Sequence, residues 1–196
     1  MMVVQLPVVQ YAIDKEDCLL DLNDQWTEFA VSNDAGAKLR PESVIGKPIW
    51  DYIRDPDLQT IYQRLIAQVR KHGFEIVFPF RCDSPLFRRY MRMSMSKRDD
   101  GSILFVSRTE EIVKRSESEI RVGRAYSGSR IVRQCSMCNL FQLSDKTWGE
   151  ADQLVLQDNT LAGNAQPSLI WGVCEPCRTR MKQVHEERFG RAEKAD

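Results

Sequence analysis

A chain of 196 residues, 42% hydrophobic and 29% charged, can build one large or two small globular domains and is too apolar for an intrinsically disordered protein. Lys+Arg and Asp+Glu both number 28, so the formal net charge is zero and no global field draws the chain to nucleic acid or an anionic membrane. No run approaches the roughly 18 apolar residues of a membrane span. The start MMVVQLPVVQ has no basic region and no long apolar core, so a cytoplasmic location is expected, with the six cysteines reduced or metal-bound.

Residues 8–14 (VVQYAID) and 18–22 (CLLDL) predict two short strands joined by Lys15, Glu16 and Asp17. Asn23 or Asp24 can cap a helix carrying Trp26, Phe29 and Ala30 on one side, which the Asn-Asp-Ala-Gly at 33–36 ends. In VIGKPIWDYI (44–53), Gly46 and Pro48 prevent a long helix. Asp55 and Pro56 then open one, a capping carboxylate followed by proline at the first helical position. Leu58, Ile61, Tyr62, Leu65, Ile66 and Val69 follow at helical spacing, and Gly73 closes the element.

Residues 74–108 contain three apolar segments separated by turn chemistry. Phe74, Ile76, Phe78 and Phe80 alternate with Glu75, Val77, Pro79 and Arg81, the period of two that sets one face of a strand in a core. Met91, Met93 and Met95 alternate with Arg92, Ser94 and Ser96 in the same way. The Asp-Asp-Gly at 99–101 is a hairpin signal, and residues 103–106 form an unbroken apolar run that suits a strand covered on both faces. In the polar turn at 81–85, Asp83 and an arginine suggest an ordering ion pair while Ser84 and Pro85 make the turn; with Arg88 and Arg89 following, the stretch could instead form an anion or recognition site.

This order of elements resembles a PAS domain over about residues 8–110: an opening hairpin, an asparagine leading into a Trp-bearing helix, VIGKPIWDYI, a connecting helix and a closing three-stranded meander. The resemblance implies an α+β fold, a five-stranded antiparallel sheet with helices on one face. It also implies a site between sheet and helices, lined by Trp26, Phe29, Ile61, Leu65, Phe78, Phe80, Cys82, Met91, Met93 and Phe105. Those side chains are large and mostly apolar, so a tightly packed interior with at most a small apolar pocket and no chromophore is expected. His72 stands at a helix end, the methionine stripe suits core filling, and no flavin-binding cysteine motif is present, which argues against haem and flavin. Leu104 and Val106 make the other face of their strand apolar, and with Ile112, Val113 and Ile120 they suggest a homodimer surface.

Residues 111–132 read as a helical linker with a flexible Ser-Gly-Ser at 127–129. Residues 133–180 follow as a separate module, and 181–196 as a charged tail. The module contains Cys135 and Cys138, then Cys174 and Cys177. Two Cys-x-x-Cys knuckles present four thiolates to one metal, and a structural zinc is expected. The insert between the pairs is longer than the roughly 15–20 residues of common zinc ribbons; residues 148–156 suggest a helix in it and 167–171 a strand. Cys-x-x-Cys is also a thiol–disulfide motif, so a redox-responsive zinc site is the competing chemistry. The segment 133–180 resembles cysteine-rich segments at the end of some bacterial PAS-containing sensory proteins.

Among the known short signatures, neither a nucleophile elbow nor a phosphate-binding loop is present, and the chain reads as a non-enzymatic sensory or signalling adaptor with a protein partner. The alternative is a small transcriptional regulator that binds nucleic acid through Arg178, Arg180 and Lys182, against which the neighbouring Glu186 and Glu187 argue.

Overall fold

The alternation along residues 74–108 forms the middle and one edge of a five-stranded antiparallel sheet. The computed structural model describes residues 6–32, 35–36, 38–84, 86–115, 131–157 and 167–190. The strands are β1 (Val8–Ile13), β2 (Leu19–Leu22), β3 (Ile76–Arg81), β4 (Phe87–Lys97) and β5 (Ile103–Lys114), in the order β2-β1-β5-β4-β3. The unbroken apolar run thus belongs to the central strand, where Ile103 and Phe105 are fully buried and Val106 is 8% exposed. Tyr11 lies opposite Phe105 and Phe105 opposite Met95, so one face carries a continuous apolar layer. Pro79 is tolerated because β3 is an edge strand of this sheet.

Helices α1 (Asp24–Ser32), α2 (Pro41–Val44) and α3 (Pro56–His72), with a 3₁₀ turn at Ile49–Asp51, supply the cover. The bounds of α3 follow from its ends. The Asp55 carboxylate accepts the Asp57 N–H at 3.0 Å, and Gly73, at φ 73°, returns its N–H to the Val69 carbonyl. Its buried stripe of Tyr62, Leu65, Ile66 and Val69 lies on the sheet; burial of each such side chain is worth about 1.5–3 kcal/mol. Asn23 does not cap α1 with its side chain. Its amide bridges to β1 instead, accepting the Gln10 N–H and donating to the Val8 carbonyl.

The cysteine segment folds as β6 (Ile131–Cys135), β7 (Phe141–Gln142), β8 (Trp148–Gly149), α4 (Ala151–Gln157), β9 (Ser168–Gly172) and α5 (Glu175–Phe189). Its sheet runs β8-β7-β6-β9, with β6 and β9 parallel. The helix suggested at 148–156 therefore begins at Ala151, since Trp148 and Gly149 pair with β7. Residues 111–114 extend β5 and do not start a helix; the rest of the supposed linker up to residue 130, Ile120 included, lies outside the described residues apart from Arg115.

One hydrophobic cluster runs from the first sheet into the cysteine segment. It joins Val69, Ile76 and Phe78 to Cys135, Met137, Val173, Met181 and Phe189. Phe189, in the stretch read from sequence as a charged tail, is fully buried, with the rings of His72, Phe74 and His185 within 6.3 Å of its own. Val106, expected on an uncovered dimer face, is buried within a single chain. Because the core is shared, chemical denaturation followed by tryptophan fluorescence should show one transition. Phe189→Ala should lower stability by about 3–5 kcal/mol; a separate early transition that leaves the main one unmoved would contradict a shared core.

Candidate metal centre

The first cysteine pair is shaped by the end of β6. Asn139, at φ 57°, takes the left-handed conformation that asparagine tolerates, and its N–H returns to the Cys135 carbonyl at 2.9 Å. The second pair sits where β9 gives way to α5. Cys174 is the residue capping α5, Pro176 occupies the first turn, and Cys177 follows three residues after Cys174. That spacing sets both thiols at the helix N-terminus, where backbone N–H groups and the helix dipole favour thiolate. Parallel pairing of Cys135 with Gly172 brings the two knuckles together across an insert of 35 residues.

The four Sγ atoms lie within 4.8 Å of one another. Cys135, Cys174 and Cys177 are buried and Cys138 is half-buried. The Cys135 sulfur accepts the N–H groups of Met137 at 3.5 Å and Cys174 at 3.4 Å. Hydrogen bonds from the Cys138, Cys174 and Cys177 thiols, with that Cys174 N–H, hold the Cys135 thiol well below its ordinary value; hydrogen bonds with Cys135, Cys138 and Cys174 push the Cys177 thiol up. Four thiolates in one cluster repel one another, and a bound cation would compensate all of them. The arrangement can thus hold a metal ion with four sulfur ligands.

This site is fastened to the edge of β3 and to the start of α3. The Met137 carbonyl accepts the Arg81 N–H at 2.7 Å, and the Asn139 side chain donates to the Arg81 carbonyl at 3.2 Å, so the knuckle lies along the free edge of β3. Ser136 Oγ donates to Asp55, the capping residue of α3, at 2.5 Å. Arg178 pairs with Asp57 in the first turn of α3. The Arg81 guanidinium is 6% exposed and pairs with both Asp83 and Glu150 at 2.6 Å. The ion pair suggested by the polar turn at 81–85 is therefore present, with a second acid contributed from the cysteine segment.

A cavity of about 400 Å³ lies between sheet and helices next to this joint. Of the ten residues read as its lining, Trp26, Phe29, Phe80, Cys82, Met91 and Met93 are on its wall. Leu65, Phe78 and Phe105 are packed in the main core and Ile61 lies against it, so none of the four reaches the cavity. A tightly packed interior with at most a small apolar pocket was expected; the large side chains fill the end of the layer under the middle of α3. At the other end Trp26 is held away by an indole N–H bond to the Leu39 carbonyl at 2.8 Å and by an edge-on contact with Tyr11. Tyr11, Tyr62, Arg81, Ser107 and Ser136 also line the cavity and were not read from sequence. The alternation along β1 and the helical spacing of α3 could have given the two tyrosines; nothing local marks Ser136. Burial pushes the Cys82 thiol up to about 11, so it is neutral at pH 7 and not a nucleophile. His72 stacks on Phe74, meets Phe189 at a tilt and does not line the cavity.

No family model and no curated protein matches the chain, so the identity of the ion rests on its donors and on direct measurement. Metal analysis of protein purified reduced and without chelator should give about one ion per chain. Cys135→Ser should abolish it. Because four thiolates must be deprotonated, metal affinity should fall steadily as pH is lowered; retention independent of pH would exclude thiolate ligation.

Proposed function

We propose that the chain is a non-enzymatic sensory adaptor in which a PAS-like unit with an apolar cavity is joined to a unit built on a structural zinc ion. The observation that carries this reading is the closed set of four cysteine sulfurs at the joint. Sulfur suits zinc, and four protein ligands leave no open position for a reacting water. Tetrahedral coordination at about 2.3 Å requires sulfurs about 3.8 Å apart, and Cys138 and Cys174 stand 3.7 Å apart.

The cavity supports the sensory part. Its volume falls within the roughly 300–1,000 Å³ of small-molecule sites, and its wall is mostly apolar with a few polar groups. Neither the Tyr11 nor the Tyr62 hydroxyl hydrogen-bonds to another described residue, so each has capacity for an occupant. An uncharged, mostly apolar small molecule fits this wall. A protein partner is favoured over nucleic acid because Arg178, first of the basic residues in α5, is turned back onto Asp57.

Two measurements test the proposal. Purified protein should contain zinc and bind a neutral fluorescent naphthalene dye with saturation, and filling the cavity by Cys82→Trp should weaken the dye by tenfold or more; a metal other than zinc, or no saturable dye binding, refutes the corresponding half. The proposed partner in self-association is a second copy at the end of β5, where Ile112 and Val113 are exposed. Sedimentation at tens of micromolar should show a dimer that Ile112→Glu dissociates, and a monomer at that concentration would end this idea.

A further inference from the structure

We infer that the metal centre and the apolar cavity are energetically linked through the loop 135–138, so that metal binding and cavity occupancy strengthen each other. This rests on the proposed reading of the cavity as a small-molecule site and adds its regulation. The loop has metal ligands at both ends, Cys135 and Cys138, and a cavity-lining residue, Ser136, between them. The Ser136 N–H donates to the Gly172 carbonyl at 2.9 Å and its hydroxyl donates to Asp55 at 2.5 Å. Its neighbour Met137 accepts the N–H of Arg81 at 2.7 Å. Arg81 and the flanking Phe80 and Cys82 line the cavity from the β3 side, and Leu58 and Tyr62 line it from α3, the helix that Asp55 caps.

The loop therefore joins the two walls of the cavity, one through each of its middle residues. A metal fixes the Cys135 and Cys138 sulfurs at one separation and with them the course of the three bonds between. Without a cation the two sulfurs are not tied to each other, and the loop rests on its hydrogen bonds to Gly172, Asp55 and Arg81. An occupant packed against Ser136, Phe80 and Cys82 favours the same loop conformation. A ligand shifts an equilibrium by its differential affinity for the two states, and the linkage is reciprocal.

The experiment measures zinc retention by the full chain against a competing colorimetric chelator, with and without saturating N-phenyl-1-naphthylamine, a neutral dye. Dye binding to the zinc-loaded chain is followed separately by fluorescence. The dye should raise the apparent zinc affinity by about fivefold or more, within the usual range of such linkage. Ser136→Ala, which removes no ligand, should still bind one zinc but lose most of that enhancement, while Ser136→Thr should keep it. Unchanged zinc retention with dye demonstrably bound overturns the linkage and leaves the cavity reading intact. Failure of the dye to bind overturns both. Full enhancement in Ser136→Ala overturns the route through this loop.

Discussion

A guanidinium cannot be taken out of water without partners, and the arrangement of this molecule follows from where Arg81 finds them. Burial alone would lower its proton affinity, but hydrogen bonds and charge from Asp83 and Glu150 more than offset this and keep it ionised. Asp83 is local, two residues on, whereas Glu150 belongs to the turn before α4 in the other unit. Loss of either acid leaves a buried charge half-compensated, a defect that typically costs about 3–5 kcal/mol. The pairing therefore selects one position of the cysteine segment over others that would bury a similar apolar area. The backbone of the same residue holds Met137 and Asn139, so side chain and main chain fix one joint.

The elements whose signals are local were legible in the sequence. An aspartate before proline and a glycine after the last apolar residue bounded α3, alternation found β3 and β4, and an unbroken apolar run after a turn found β5. The two cysteine pairs declared their own proximity, since four ligands at that spacing have few other uses. What alternation cannot report is depth along a face. It showed that Phe78, Phe80, Met91 and Phe105 share one side of the sheet, but not that Phe78 and Phe105 lie under α3 while Phe80 and Met91 border the cavity. Nor could it show that Val106 is buried while Leu104, on the same face, is only half-buried. The parallel pairing of β6 and β9 was hidden by the long insert, as non-local pairings generally are.

The methionines connect packing to the proposed sensing. Met91, Met93 and Met95 are all at most 4% exposed, yet Met91 and Met93 face the cavity and Met95 the closed core. A flexible thioether can move at modest cost where one side is open, and much less where all sides are packed. The stripe is thus core filling at one end and an adjustable wall at the other. Ser107, on the same wall, donates to the Met93 sulfur at 3.5 Å.

The metal matters here because the cysteine segment has little core of its own. Apart from residues shared with the first sheet, its separate buried cluster is Val132, Phe141, Leu143, Ala151 and Leu154. A unit of that size seldom buries enough apolar surface to fold without a staple or a partner. Both are supplied at the same place, four thiols at the joint and the edge of β3 with the start of α3 beside them. A metal held by these thiols would therefore not stabilise a detached module. It would stabilise the contact that also covers the edge strand of the first sheet, where an uncovered row of backbone groups would invite pairing with other chains. Loss of the ion should accordingly be felt on both sides of the joint, which is the physical basis for linking it to a cavity whose wall the metal loop completes.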